Sequence, residues 1–307
     1  MTAQSLLEQL LNSVQFGVML FLLSAGLTLV FGVMNFINLA HGSLYMLGAY
    51  TGIAAYSASG SFLYGALTGV LCGGAVAFLL DTAIFRNLYQ KDHLHQVLGT
   101  FGLILFFNAL VHWLWGPSAL FSRIPEFLDF RVVLMGGLEY PAYRLAVSLL
   151  GLAVAAFLYV LIEHSRIGML IRAGATDRDM VAALGVNIRR LYTVVFALGG
   201  ILAGLAGVAA SPLFAVEAGM GENILILMFV VIIIGGIGSV RGAFIAAILV
   251  GLVDTLGRAF MRIALGGLFP PDVADSTAPA MASMLVYVMM VAVLFLKPEG
   301  LFAGRST

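Results

Sequence analysis

Two stretches decide the fold: LILMFVVIIIGGIG, Leu225 to Gly238, and LLGLAVAAFLYVLI, Leu149 to Ile162. Both are apolar on every face, and comparable runs of about twenty residues recur along the chain, the length a helix needs to cross a hydrocarbon core of about 30 Å. A barrel strand would instead alternate polar and apolar residues over about ten positions. Because lipid cannot satisfy backbone polar groups, these runs are helices, and the chain is an all-α, polytopic transmembrane helical bundle. Composition agrees: 62% of the 307 residues are hydrophobic and only 10% are charged, whereas an average soluble domain has about a quarter of its residues charged.

Apolar runs and the polar gaps between them predict eight or nine spans, near 8–31, 33–58, 62–85, 97–115, 141–163, 191–213, 223–238, 242–262 and 279–296. Asn35, Asn38 and His41 punctuate the second, and Gly235, Gly236 and Gly238 end the seventh, so both are candidates for broken or re-entrant helices. The amino terminus lacks the basic segment and cleavage site of a secretory signal, so the first span is expected to be retained.

Ten of the fifteen basic residues fall in alternate gaps: Arg86 and Lys91; Arg166, Arg172, Arg178, Arg189 and Arg190; Arg241; Lys297 and Arg305. The positive-inside bias places these gaps, and the carboxyl terminus, in the cytoplasm. No soluble domain fits, since the longest polar gaps, 116–140 and 164–190, have about 25 residues each. The chain therefore reads as a single transmembrane domain spanning 1–307. The 116–140 gap, with its prolines, aromatics and mixed charges, reads as an ordered external loop. The 164–190 gap predicts a short amphipathic helix from about Asp177 to Leu184. Thr176 or Asp177 would cap it, Gly185 would stop it, and Met180, Val181, Ala183 and Leu184 would form an apolar patch.

Several chemistries are excluded. With zero formal net charge and no basic cluster among aromatics, nucleic-acid binding has no support. The only lysines, Lys91 and Lys297, do not follow glycine, so no phosphate-binding G-x-x-x-x-G-K-[ST] loop exists, and the chain is not itself an ATPase. No Cys, His or acid cluster accompanies His41, so no metal is expected. Cys72, the single cysteine, reads as a packing residue.

The candidate substrate pathway is NFINLAHGS, whose Asn35, Asn38, His41 and Ser43 must face protein or water at membrane depth. The competing reading is that they hold a helix break together. Asp254 reads as a structural acid paired with Arg258 one turn on, and Asp81 as an interfacial acid snorkelling with Arg86. Glycines at every fourth residue, Gly65, Gly69 and Gly73, Gly48 and Gly52, and Gly200 and Gly204, mark close helix packing.

Four segments, in order, resemble the permeases of branched-chain amino acid ABC importers. GLTLVFGVMNFINLAHGSLYMLGAY, Gly26 to Tyr50, is similar to their amino-terminal signature, and DRDMVAALGVN, Asp177 to Asn187, to their coupling helix. VVIIIGGIGSVRGAFIAAILVGLVD, Val230 to Asp254, resembles their late glycine-rich segment, and KPEGLFA, Lys297 to Ala303, their ending. Ser43 departs from the family, whose members often carry an acid directly after the His-Gly pair. The resemblance, closest to the LivH-type inner-membrane subunit, implies coupling to an ATPase through Asp177, Asp179, Met180, Ala182, Ala183, Leu184, Gly185 and Asn187. It further implies a homologous second permease, two ATP-binding cassette subunits that carry the ATP and Mg, and an external solute-binding protein. The chain would then move branched-chain or related hydrophobic amino acids across a bacterial inner membrane by alternating access. Two other classes are a stand-alone ion-coupled secondary transporter, for which Asp254 is the lone midplane acid, and an intramembrane hydrolase, for which no nucleophile motif occurs.

Overall fold

The structure, a computed structural model, describes residues 3–89, 91–134 and 137–302. Ala303 and Arg305, in the terminal segment singled out above, lie outside them. Among the described residues, seven helices are long and apolar enough to cross a membrane. They are α1 (Ala3–Met34), α3 (Phe62–Leu80, extended by a wider turn at Asp81–Phe85 and by α4, Arg86–Leu88), α5 (His93–Trp115), α6 (Ala142–His164), α9 (Ile188–Ala210), α11 (Val240–Gly266) and α12 (Pro271–Leu296). Two further helices, α2 (His41–Ser59) and the shorter apolar α10 (Met220–Gly235), complete nine that correspond to the nine expected spans.

The spine is α1, buried along most of its length between α11, α9 and α6. Small residues set the spacing. At the junction of α2, α3 and α9, a methyl on Gly48 would lie 2.5 Å from Gly204 Cα, and one on Gly73 would lie 2.4 Å from the Gly200 carbonyl oxygen. The predicted four-residue glycine rows are thus helix contacts within this chain, where van der Waals packing rather than water exclusion holds helices together. In contrast, α5, α6 and α12 expose Leu98, Phe101, Leu105, Phe157, Val288 and Phe295 on the outside of the bundle.

The second span is broken where Asn35, Asn38 and His41 punctuate it, as expected: α1 runs to Met34, residues 35–40 are non-helical, and α2 starts only at His41. Other elements differ from expectation. The 164–190 gap holds two helices, α7 (Arg166–Thr176) and α8 (Arg178–Ala183), of which only the second is expected. The 116–140 gap forms a small antiparallel hairpin, β1 (Arg131–Val133) with β2 (Glu139–Pro141), in register Val132 to Tyr140. Helix α12 begins at Pro271, eight residues earlier than expected, because Pro279 is accommodated within it. Asp81 does not snorkel. It is fully buried in the wide turn, where the Tyr89 hydroxyl and the Thr193 hydroxyl (2.6 Å) donate to it and Arg86 lies 3.7 Å away. Asp254 follows its reading, accepting two 2.9 Å bonds from the Arg258 guanidinium.

Candidate functional site

The two ends of the bundle are the hairpin end, with β1 and β2, and the arginine-rich end, with α7 and α8. Asn12 of α1 marks the first, accepting from Tyr140 (3.0 Å) and Arg144 (2.7 Å). Met34 ends α1 near the second, where Val33 approaches α7 at Gly174. Leu23 lies eleven residues from each, about 16 Å along the helix axis.

This ruler gives the depth of the break. Asn35, the only non-glycine residue with positive φ among those described (48°), turns the chain out of α1, its N–H donating to the Phe31 carbonyl at 2.9 Å. Asparagine tolerates this left-handed conformation, which is how helices commonly stop. The chain then returns alongside α1 without helical bonds. The Ile37 N–H donates to Gln96 Oε1 (3.3 Å), Phe36 packs on Phe85 and Tyr89, and His41 Nε2 reaches the Leu23 carbonyl at 3.2 Å. Helix α2 therefore begins about half-way through the bundle. Asn38, His41 and Ser43 are buried there, whereas Asn35 is exposed at the arginine-rich end as a helix stop. The structure brings three of the four predicted pathway residues together and separates the fourth.

Both side-chain atoms of the Asn38 amide and the His41 Nδ1 are buried without a hydrogen-bond partner. Leaving such groups unpaired costs about 1–3 kcal/mol each, so their presence at half-depth is an observation that asks for a function. Beside them, the start of α10 abuts the start of α2 through Gly221 and Gly42. Neither helix has a side-chain cap, since Ala40 and Gly219 occupy the capping positions. Two helix N-termini, each with a partial positive charge, thus meet inside the bundle.

Sequence reasoning missed three residues of this region. Gln96 clamps the break by accepting from Ile37 and donating to the Lys91 carbonyl at 3.2 Å. Asn108 of α5 donates to Glu222 Oε1 (2.5 Å) and accepts from the Gly219 N–H (3.2 Å). These contacts join positions 59, 5, 114 and 111 residues apart, and only the short Gln96–Lys91 separation is local enough to suggest itself in the sequence.

At the arginine-rich end, α8 is as predicted in its capping. Asp177 accepts from the N–H groups of Asp179 (3.0 Å) and Met180 (2.9 Å), and Gly185 ends the helix with φ of 87°. Val181 is buried, while Met180, Ala182, Ala183 and Leu184 are exposed, leaving an apolar patch uncovered. Asn187 is the cap of α9, accepting from the Arg190 N–H at 3.1 Å. Beside the patch runs a groove of about 660 Å³ lined by Arg178, Asp179 and Ala182 on one wall and by Arg86, Tyr89 and Tyr192 opposite. Helix α7 is held by Glu163 of α6, which lies 3.8 Å from Arg172 and 3.0 Å from Arg241 of α11.

Comparison with known proteins identifies the family of the chain. The family model described as "Branched-chain amino acid transport system / permease component" matches residues 9–294. The chain is 25% identical to the high-affinity branched-chain amino acid transport system permease protein BraD of Pseudomonas aeruginosa, over 97% of this chain and 96% of that one. It is 25% identical to LivH of Escherichia coli K12, over 83% and 87%, and 28% identical to LivM of the same organism, over 80% and 64%. No solved structure matches. The family is one of transport permease subunits rather than enzymes, its members are multi-pass membrane proteins, and the seven long apolar helices with the shorter α10, among the described residues, fit that architecture. With almost its entire length covered by the family model, this chain belongs to the permease components of branched-chain amino acid ABC transport systems, and within them to the LivH type.

Proposed function

We propose that this chain is one membrane subunit of an ATP-driven importer that carries branched-chain or related hydrophobic amino acids across a bacterial cytoplasmic membrane. The whole chain forms one transmembrane permease domain. The arginine-rich end faces the cytoplasm by the positive-inside bias, which puts the carboxyl terminus there too, and the hairpin end faces outward.

The observation that carries the reading is the break before α2. A half-length stretch of non-helical backbone, with the unpaired Asn38 amide and His41 Nδ1 at half-depth, is tolerated in a membrane only where it is buried in protein or lines a pathway. Discontinuous helices meeting near the midplane are how transporters expose polar backbone to a solute. The substrate pathway thus runs past Asn38, His41 and Ser43, with Asn35 marking the turn at its cytoplasmic foot.

ATP and Mg belong to two cassette subunits, which would grip the exposed patch of α8 at Met180, Ala183 and Leu184. A LivM-like second permease would complete the channel, and an external binding protein would deliver solute to the hairpin end. Closure of the ATP-bound pair would move α8, and the pathway would change the side it faces. Differential affinity of ATP for the two states supplies the drive. Asp254, the acid that the ion-coupled alternative singled out, is held by Arg258 through both oxygens.

The test is to tag the chain in its native cells, extract it in mild detergent and identify co-purifying proteins by mass spectrometry, with leucine uptake measured in proteoliposomes. Stoichiometric ATPase subunits and ATP-dependent uptake are expected. A chain that purifies alone and transports on an ion gradient would overturn the proposal.

A further inference from the structure

We infer that Glu222 is the residue that receives the substrate's ammonium group on the outward half of the pathway, an assignment that rests on the function proposed above. Glu222 stands in the first turn of α10, next to Gly221, whose backbone touches Gly42 beside His41 at half-depth. It is half-buried, so it is neither sealed in the core nor out in solvent.

Its partners set it apart from the four acids of the bundle that lie beside arginine. Asp81 lies by Arg86, Asp254 is held by Arg258, Glu163 by Arg172 and Arg241, and Asp275 by Arg262. Among the described residues, Glu222 has no basic side chain within 4.0 Å; its one hydrogen bond is from the neutral Asn108 amide to Oε1. Oε2 accepts no hydrogen bond from them. Asn108 is itself fixed at its other end by the Gly219 N–H, so the carboxylate is held in place without being neutralised. Glu217, exposed on the segment leading into α10, adds a second negative charge on the same approach.

An ionised carboxylate at membrane depth is expensive unless a cation or a watery pathway compensates it. A zwitterionic amino acid brings that cation. Its ammonium has three N–H donors for Glu222 Oε1 and Oε2, and its carboxylate would face the positive end of α2, with the unpaired Asn38 amide and His41 beside it. Such an arrangement would reject apolar acids that lack the amine. The competing role for an acid in a first helical turn is favourable contact with the helix dipole, which requires no ligand.

The experiment uses the full assembly in proteoliposomes, with uptake of radiolabelled leucine and of isocaproate, its analogue without the amine. Glu222→Gln keeps the shape and the Asn108 contact but removes the charge; leucine uptake should fall at least about tenfold, the loss of a charged hydrogen bond. Adding Asn108→Asp to that variant returns a carboxylate to the other side of the same hydrogen bond, and leucine uptake should recover to within about threefold. Co-purification of partner subunits establishes that each variant assembles. Glu222→Gln uptake at the wild-type rate overturns the assignment, as does an assembled double variant no better than Glu222→Gln. If the wild-type assembly carries an amine-bearing solute other than leucine, the proposed substrate class falls and Glu222 is judged on that solute by the same variants. If it carries isocaproate as well as leucine, the importer stands and the ammonium assignment falls.

Discussion

Gly42 and Gly221 meet backbone to backbone: a methyl placed on either would lie 2.4 Å from the carbonyl oxygen of the other. No side chain fits between them, so the distance between the starts of α2 and α10 is set by two peptide units. The polar half-depth region inherits its geometry from this contact.

Replacing Gly221 with alanine should therefore push the two helices apart. A cost of about 1–3 kcal/mol is expected from overpacking at a site with no flexible neighbour. A lower thermal midpoint of the detergent-solubilised assembly, with leucine uptake reduced more than subunit content, is the expected result. An unchanged midpoint and uptake would show that the contact is loose.

The apolar patch on α8 offers a cleaner separation of folding from coupling. Leu184 is 76% exposed, so Leu184→Glu removes no packing within the chain. We expect normal membrane insertion and at least about tenfold weaker retention of ATPase subunits, as for a central interface residue. Gly185→Val should act differently, since φ of 87° is strained for a β-branched residue and costs about 1–3 kcal/mol locally. Pull-down of the ATPase subunits alongside chain abundance distinguishes the two effects.

Under the groove, Thr193 accepts from Arg86 (3.2 Å) and donates to Asp81 (2.6 Å). Thr193→Val keeps the shape and leaves the buried carboxylate with one donor fewer. About 1–3 kcal/mol of stability should be lost, and the double variant with Asp81→Asn should be less destabilised than the sum of the single changes. Additive losses in thermal unfolding would show that the two side chains act independently.

A pH-dependent contribution is expected where α5 begins. Asp92 accepts from the His95 side chain and, at 3.1 Å, from the His95 backbone N–H, and these bonds hold its carboxyl below the ordinary carboxylate value, the side-chain bond contributing most. A depressed folded-state pKa stabilises above the unfolded-state pKa and is lost as pH falls through the folded value. Asp92→Asn should therefore lower the thermal midpoint at neutral pH, and the difference should shrink below the ordinary carboxylate pKa. A difference independent of pH would assign the effect to the cap geometry alone.

The expected spans and the observed helices coincide because continuous apolarity has one solution in lipid, and polar punctuation at Asn35, Asn38 and His41 marked the break that the structure contains. Helix α7 carries a helical signal that the reading of the 164–190 gap passed over. Ile167, Leu170, Ile171 and Gly174 fall at helical spacing as a short apolar stripe, of which Ile171 and Gly174 are buried, whereas Arg166 and Arg172 read as loop. The hairpin strands have three residues each, too few for an alternating pattern. Asn108 and Glu222 are ordinary polar residues until folding brings together positions 114 apart, and the depth of Glu222 follows only from the Gly42 contact.

Residues 35–40 cross about half the core without an internal ladder of hydrogen bonds, pinned by Phe36 against Phe85 and Tyr89, by Gln96 in the middle and by the Leu23 carbonyl at the upper end. Shifting a helix whole requires its packed faces to slide, whereas shifting this ribbon requires only a few dihedral rotations per residue. Its middle anchor belongs to α5, which begins next to the groove where α8 and α4 approach one another. Force applied there would be delivered to a pliable strap rather than to a rigid rod, so small movements at the surface could be taken up at half-depth without unfolding any helix.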